Sequence, residues 1–309
     1  MRVLITGGAG FIGSNLVDQL LADGHEVAVA DDFSTGRREN LPREVSPHEV
    51  DISGDAFDSV VAQVRPDAVA HFAAQIDVRR SVADPVADAR INVLGTIRVA
   101  RSCRRHGVKR LVFASTGGAI YGEQEVFPAS EAHREQPLSP YGVAKLSAEH
   151  YLRCLHQTGD GPSWCATRFA NVYGPRQDPH GEAGVVAIFT GRLLAGNECL
   201  IYGDGGQTRD YVYVGDVVRA ARDALLSDYI GPVNVGTGIE TDVNELYAAI
   251  ARACSVEQPA RQAEARLGEQ RRSVIDPALA GTLWGWRPEV SLVNGLAHTV
   301  EHFRNQGAH

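Results

Sequence analysis

Tyr141 and Lys145 stand four residues apart in a stretch that opens on Ser139-Pro140. On a helix, that spacing sends the phenol and the ammonium group from one face. A phenol is a poor base near neutral pH, its free pKa being ~10. Positive charge beside it favours the phenolate and turns the tyrosine into a usable general base. The same pair also arises by chance, so a surface tyrosine beside a solvated lysine is the competing reading. The surroundings must decide between them.

The elements that could position such a pair begin at residue 1. Val3, Leu4 and Ile5 form the short apolar run of a buried parallel strand. Gly7, Gly8, Gly10 and Gly13 follow, then a helical pattern through Phe11, Leu16, Leu20 and Leu21. Glycines here permit a tight turn and let a ligand approach bare backbone. The helix start points unpaired N–H groups and the positive end of its dipole at that ligand, which suits a pyrophosphate. A second strand, Glu26 to Ala30, ends at Asp31, whose carboxylate can accept both hydroxyls of an adenosine ribose. In this order the parts point to a dinucleotide rather than to a structural turn. Asp31 repels a 2′-phosphate and so favours NAD over NADP; Arg37 and Arg38, further along the loop, are the counter-argument.

At 309 residues the chain can bury a large core, as one big domain or two intimate ones. Its 44% hydrophobic and 22% charged content is ordinary for a soluble globular protein. A net charge of −8 argues against a nucleic-acid or anionic-membrane partner. Arg104–Arg105 and Arg271–Arg272 read as solvated surface or phosphate contacts. No apolar run approaches the ~18 residues of a membrane span, and the N-terminus reads as a strand rather than a signal peptide. The five scattered cysteines, without a CxxC pair, read as reduced thiols of a cytoplasmic protein.

Along the chain, helices are expected over 56–64, from Asp84-Pro85 to about His106, and from Ser139-Pro140 through Tyr141 and Lys145. Strands are expected to end at Asp51, Phe72, Ala114 and Phe169. This alternation specifies a doubly wound α/β parallel sheet of Rossmann type. Beyond about residue 170 the pattern loosens into a smaller α/β substrate domain. The expected division is 1–170 plus about 207–235 for the dinucleotide-binding domain, and about 171–206 plus 236–309 for the other. His298 and His302 are i, i+4 on a terminal helix without an HExxH motif, so they read as a solvated face and no metal is expected. Trp284 and Trp286 read as packing of the small domain.

Thr6-Gly7-Gly8-Ala9-Gly10-Phe11-Ile12-Gly13 resembles the TGxxGxxG loop of the extended short-chain dehydrogenase/reductase superfamily, and Tyr141…Lys145 its YxxxK. His71-Phe72-Ala73-Ala74-Gln75, Asn92-Val93-Leu94-Gly95-Thr96 and the Arg168–Arg176 segment continue the match. So do Gly203–Val212 and the tail from Asp276 to Pro288. Within the superfamily the chain is most similar to UDP-hexose 4-epimerases of the UDP-glucose 4-epimerase type. The resemblance implies NAD held by Gly7, Gly10, Phe11, Ile12, Gly13, Asp31, Asp32, Ser34, Thr35 and Gly36. Asp51, Ile52, Phe72, Ala73, Ala74, Gln75, Asn92, Tyr141, Lys145 and Phe169 complete that set. It places the nucleotide sugar on Gln75, Thr116, Tyr141, Asn171, Arg176, Leu200, Tyr202, Arg209, Tyr211, Arg266, Glu269 and Ser273. Two arginines and an amide, Arg209, Arg266 and Asn171, suit a diphosphate.

The implied reaction has Tyr141 take the proton of the sugar 4-hydroxyl while Thr116, with Ser115 as the fallback, hydrogen-bonds the same oxygen. Hydride passes from C4 to NAD, the 4-keto sugar turns over, and hydride returns to the opposite face. Lys145 binds the nicotinamide ribose and lowers the pKa of Tyr141. A 4,6-dehydratase needs an acid–base pair beside the threonine, where this chain has Gly117 and Gly118. A UDP-glucuronate 4-epimerase, with Arg176 on the carboxylate, and a non-catalytic dinucleotide sensor are the other readings. Seven places after Arg266 lies Ser273, where some relatives carry tyrosine; serine leaves room for an N-acetyl group. Apolar residues on more than one face of the helices from Asp84 and Ser139 fit either a deep monomer core or a homodimer, which the resemblance implies is joined by a four-helix bundle.

Overall fold

The computed structural model describes residues 1–179, 184–265 and 270–306. Its centre is a seven-stranded parallel sheet. The strands are β1 (Arg2–Thr6), β2 (Glu26–Asp31), β3 (His48–Glu49), β4 (Ala68–His71), β5 (Arg110–Thr116), β6 (Ser163–Phe169) and an edge strand, Gly231–Val235. Their spatial order is edge strand, β6, β5, β4, β1, β2, β3. The direction of winding reverses between β1 and β4, which opens a crevice at the carboxyl ends of those strands. Val3, Leu4 and Ile5 are fully buried, as a strand covered on both faces requires.

Two apolar clusters flank the sheet. One gathers Val3, Ile5, Leu16, Val17 and Leu20 with Val217, Ala221 and Leu225, from helices Phe11–Ala22 and Val214–Leu226. The other gathers Leu4, Phe57, Val61, Val99, Ala148 and Leu152 on the opposite face. There the helix Pro140–Gln157 starts on Ser139, whose hydroxyl accepts from Gly142 N at 3.1 Å, with Pro140 in its first turn. The helix from Pro85 is capped likewise by Asp84, accepting from Ala87 N at 2.9 Å. Between Pro85 and Arg105 that helix widens to π geometry over Arg90–Gly95, a distortion that no propensity pattern announces and that recurs at functional sites.

A third cluster, including Tyr173, Phe189, Ile201, Leu246, Ile250, Leu296 and Val300, forms the core of the C-terminal lobe. The segment 274–276 stitches the parts together. Val274 N donates to Gln124 Oε1 at 3.0 Å, Ala129 N to Val274 O at 3.0 Å, and Asp276 N to Ala129 O at 2.8 Å. Asp210, 1% exposed, accepts from Thr237 N, Thr237 Oγ1, Gly238 N and Ile275 N.

The sheet follows the sequence expectation with shifted strand ends: β4 stops at His71, one residue before Phe72, and β5 runs on to Thr116, two beyond Ala114. The third strand ends at Glu49, and Asp51 opens an exposed turn by accepting from Ser53 N at 2.7 Å. The five cysteines are free thiols. Arg271 and Arg272 are ion-paired, to Asp204 and Glu240 respectively, and Arg272 also covers the ring of Phe127. Trp286 packs with the sheet core and donates its indole N–H to Asp216 O.

Candidate active site

At the crevice, Gly7 has φ +68°, and a Cβ there would lie 2.6 Å from Ala73 N. A Cβ on Gly13 would lie 2.1 Å from Gly7 O, so the helix start packs directly onto the turn. Helix Phe11–Ala22 has no side-chain cap at Gly10, which leaves its first N–H groups for an anion. Asp31, 6% exposed, accepts from Ala9 N and Phe33 N at 2.9 Å each. Burial raises its carboxyl above the usual range, while those two bonds work against the rise. Each oxygen keeps a second lone pair for a hydroxyl. Gly36 closes over it, with space for no side chain: a Cβ would stand 2.7 Å from Asp31 Oδ1. Asp32, exposed, holds the loop by accepting from Ser34 N and Oγ, and Thr35 is exposed beside it.

Beneath this cradle His71 is 1% exposed and bridges two threonines, Nδ1 to Thr6 Oγ1 at 2.7 Å and Nε2 to Thr96 Oγ1 at 3.1 Å. Thr96 Oγ1 donates to Asn92 O, so it accepts from Nε2–H, and Nδ1 accepts from Thr6. Burial and the Lys145 charge push the imidazole down to about 3, which keeps it neutral. Thr6 Oγ1 also accepts from Ala73 N at 3.2 Å. His71 is thus a strut under the loop that carries Phe72, Ala73 and Ala74. The Phe72 ring stacks at 6.1 Å from that of Phe169, and Ile52 lies buried against Gly95.

Tyr141 and Lys145 lie one turn apart on the helix Pro140–Gln157, with the Thr116 side chain near enough to Tyr141 to favour its phenolate. Lys145 is 3% exposed; its Nζ donates to Ala114 O at 2.9 Å and lies 5.9 Å from the Tyr141 ring centroid. Burial pulls the ammonium down to about 8, against the charges of Asp88 and Glu149. Burial, and next the Asp88 charge, raises the Tyr141 phenol, with Thr116 opposing. The expected lowering of the phenol by Lys145 is therefore outweighed in the protein alone.

Ser115, the fallback hydroxyl, is engaged away from Tyr141 in this structure. Along β5 its side chain alternates to the other face from Thr116 and donates to Glu149 Oε1 at 2.5 Å. Glu149 is in turn gripped by Arg168, whose Nε lies 3.0 Å from Oε1 and Nη2 2.6 Å from Oε2. Arg168, 1% exposed, also donates to Tyr121 Oη at 3.0 Å and to Glu135. After Thr116, a Cβ on Gly117 would stand 2.7 Å from Ile275 Cδ1, so that position admits no acidic side chain.

Gln75 and Asn92, expected as ligand contacts, are also bonded to each other. Gln75 N donates to Asn92 Oδ1 at 3.0 Å, and Asn92 Nδ2 to Gln75 O at 2.8 Å. The Gln75 amide donates to Asp77 O and Asp88 Oδ1 and accepts from Asp77 N. These are the contacts of a clamp between the loop and the widened helix, and each amide group already has a protein partner. The sequence reading missed Asp88; its one signal is the i, i+4 spacing to Asn92.

On the sugar side, Asn171 and Tyr211 face each other in parallel strands that lead away from β6. Leu200 and Tyr202 lie in a strand paired to Arg261–Ala263, each half-buried. Arg209 pairs in register with Ser273, which is 2% exposed. Arg176, at φ +72°, is ion-paired to Asp18 of the first helix at 2.7 Å. Arg266 and Glu269 lie outside the described residues. His298 meets the Tyr213 ring edge-on, and His302 packs on Phe303.

Comparison with known proteins agrees with this layout. The model of the NAD dependent epimerase/dehydratase family matches residues 3–236. A Mycolicibacterium smegmatis protein named UDP-glucose 4-epimerase is 47% identical over 318 residues, covering 99% of each chain. The Thermotoga maritima UDP-glucose 4-epimerase solved with UDP-glucose superposes with a TM-score of 0.96 at 44% identity, over 99% of each chain. The Thermus thermophilus UDP-glucose 4-epimerase in complex with NAD gives 0.93 at 47% identity, over 98% of this chain and 99% of that one.

Proposed function

From the chain's membership of the NAD dependent epimerase/dehydratase family, to which it belongs, we propose that it is an enzyme inverting C4 of a UDP-hexose, interconverting UDP-glucose and UDP-galactose. One observation carries this reading: Tyr141 beside Thr116, with the buried Lys145 Nζ 5.9 Å from its ring centroid, at the carboxyl ends of a sheet whose first turn is a glycine cradle.

The residues present fit NAD. A Cβ would fill the cradle at Gly7, and Asp31 retains acceptor capacity for a ribose diol while repelling a 2′-phosphate. Arg37 is paired to Asp178, and Arg38 lies over the Phe33 ring. When bound, NAD supplies the hydride acceptor for the sugar and a cationic ring. Tyr141 accepts the 4-hydroxyl proton as that positive charge and Lys145 favour the phenolate. Thr116 holds the same oxygen. With the sugar's other face presented, Tyr141 returns the proton and C4 is inverted. Gly117 and Gly118 supply no acid–base pair for losing water, which disfavours a dehydratase. The engagement of Arg176 with Asp18 weakens the uronate reading.

The test is to feed purified enzyme UDP-glucose and separate the products. UDP-galactose is expected; accumulation of reduced cofactor or of a 4-keto-6-deoxy sugar overturns the reading. In the same assay UDP-N-acetylglucosamine is expected to turn over, because Ser273 beside Arg209 is small. Ser273→Tyr is expected to lower kcat/KM for the N-acetylated sugar at least about tenfold relative to UDP-glucose, as a lost shape fit of about 1–3 kcal/mol would. An unchanged ratio removes Ser273 as the gate.

Apolar residues left exposed on the two neighbouring helices, Val86 (78%), Leu94 (53%), Val143 (50%) and Tyr151 (47%), support a homodimer with these faces paired. Light scattering is expected to give twice the chain mass at micromolar concentration, and Leu94→Glu with Val143→Glu to halve it. The reduced thiols fit a cytoplasmic enzyme. The third apolar cluster supports a substrate lobe beside the cofactor domain, although Tyr211 in that cluster and Ile275, Ala280 and Trp286 in the sheet core cross the bounds of about 171–206 plus 236–309 and 1–170 plus about 207–235.

A further inference from the structure

Thr116 and Tyr141 sit on different elements, β5 and the helix Pro140–Gln157, so the gap between them is set by whatever ties strand to helix. Two side-chain bonds do so, both at the residues just before Thr116. Lys145 Nζ donates to Ala114 O at 2.9 Å, and Ser115 Oγ donates to Glu149 Oε1 at 2.5 Å. On the helix, Tyr141, Lys145 and Glu149 follow at four-residue steps, which stacks them along one face. Ser115 and Glu149 are 4% and 3% exposed, so the bond between them is buried.

Glu149 is itself held fast. Arg168 Nε lies 3.0 Å from Oε1 and Nη2 2.6 Å from Oε2. The guanidinium, 1% exposed, also donates to Glu135 and to the Tyr121 hydroxyl, which donates onward to Asn234 Oδ1 at 2.8 Å. Arg168 and Ser115 are register partners on β6 and β5, so guanidinium and hydroxyl reach the carboxylate from adjacent strands. Arg168 already supplies the counter-charge and bonds both oxygens. The serine bond is not needed to neutralise Glu149; what it adds is a fixed distance between β5 and the helix.

We propose that Ser115 is a positioning residue for Thr116, holding the end of β5 through Glu149 and Arg168 at the distance from Tyr141 at which both hydroxyls reach one substrate oxygen. The proposal rests on the reading of Thr116 and Tyr141 given above. On its other side Thr116 is followed by Gly117 and Gly118, which carry no side chain to anchor, and Ile275 packs against Gly117 by contact alone. Such a contact limits approach without fixing direction, whereas a hydrogen bond has a preferred angle. Precision here matters, since a misplacement of about 1 Å can cost about 100-fold in rate.

Ser115→Ala removes the tie and leaves the Glu149–Arg168 pair. With UDP-glucose, kcat is expected to fall about tenfold or more, with KM and cofactor affinity within about twofold of the parent. Ser115→Thr, which keeps a hydroxyl for Glu149, is expected to recover most of the loss. Because Ser115 acts through Thr116, the two losses should not multiply: in a Thr116→Val background, Ser115→Ala should cost less than about a further twofold. Crystal structures of the parent and Ser115→Ala give a readout independent of turnover. Thr116 Oγ1 should shift relative to Tyr141 Oη while Gly7 and Ala73 stay in place. Parental kcat in Ser115→Ala, losses that multiply, or an unmoved Thr116 each overturns the proposal. Should Ser115→Ala fail to fold, Ser115→Cys offers Glu149 only a weak donor, and the same measurements decide. If Thr116→Val keeps full turnover, or the parent does not convert UDP-glucose, the reading of the site has failed instead; the displacement in the crystal still reports whether Ser115 sets the place of Thr116.

Discussion

Tyr141→Phe is expected to keep cofactor and UDP-hexose binding and to lose about 100-fold or more in kcat, the usual loss when a positioned acid–base group is removed. Phenylalanine fills the same space on a helix whose neighbours Gly142, Ala144 and Lys145 are buried, so packing persists. What disappears is one oxygen, the atom that Thr116 influences. Among the described residues beside Tyr141, Ser115 is tied to Glu149, His71 is neutral between two threonines, and Gly117 and Gly118 bear no side chain, so none of these replaces the phenol as base. Measured with UDP-glucose and UDP-galactose, the loss should fall on kcat with KM little changed. Turnover near the parental rate would move the base elsewhere.

Arg168→Met is expected to destabilise the fold by about 3–5 kcal/mol, the range for breaking a buried pair by removing one partner. The guanidinium is 1% exposed, and although burial opposes its charge, the bonds and charge of Glu149 hold its pKa above the usual arginine range. Removing it strands Glu149 beside Ser115 and leaves the Tyr121 hydroxyl with Asn234 alone. Urea denaturation at matched cofactor concentration should show a lower midpoint. Arg168→Met with Glu149→Leu, which removes both charges, should recover much of the loss. A single variant as stable as the parent would mean that water reaches Glu149.

The sheet, the glycine cradle and the Tyr141–Lys145 face were legible because each rests on local pattern: apolar runs, glycines at fixed offsets, and a four-residue spacing. The mutual bonding of Gln75 and Asn92 was not legible. A buried amide reads the same in sequence whether it meets a ligand or another amide. Asp88 was invisible for a related reason, since a carboxylate on a helix looks like any solvated charge until the fold buries it. The choice between Ser115 and Thr116 needed the strand's alternation, which a one-residue shift would have reversed. The paired strands Thr208–Arg209, Thr241–Asp242 and Arg272–Ser273 are two residues each. That is too short for periodicity; long-range pairing alone creates them.

Segment 274–276 bears on how the enzyme is made. Ile275 presses on Gly117, directly after Thr116, while Val274 and Asp276 fix the strand of chain around Gln124 and Ala129. The cofactor-binding sheet is nearly complete once residue 235 has been synthesised, yet the catalytic loop has its brace only when residue 276 follows. A nascent chain on the ribosome can thus assemble a dinucleotide cradle well before it owns a finished catalytic loop. Truncation between those two points would leave every strand of the sheet but remove the Ile275 brace on that loop and the core side chains Ala280 and Trp286.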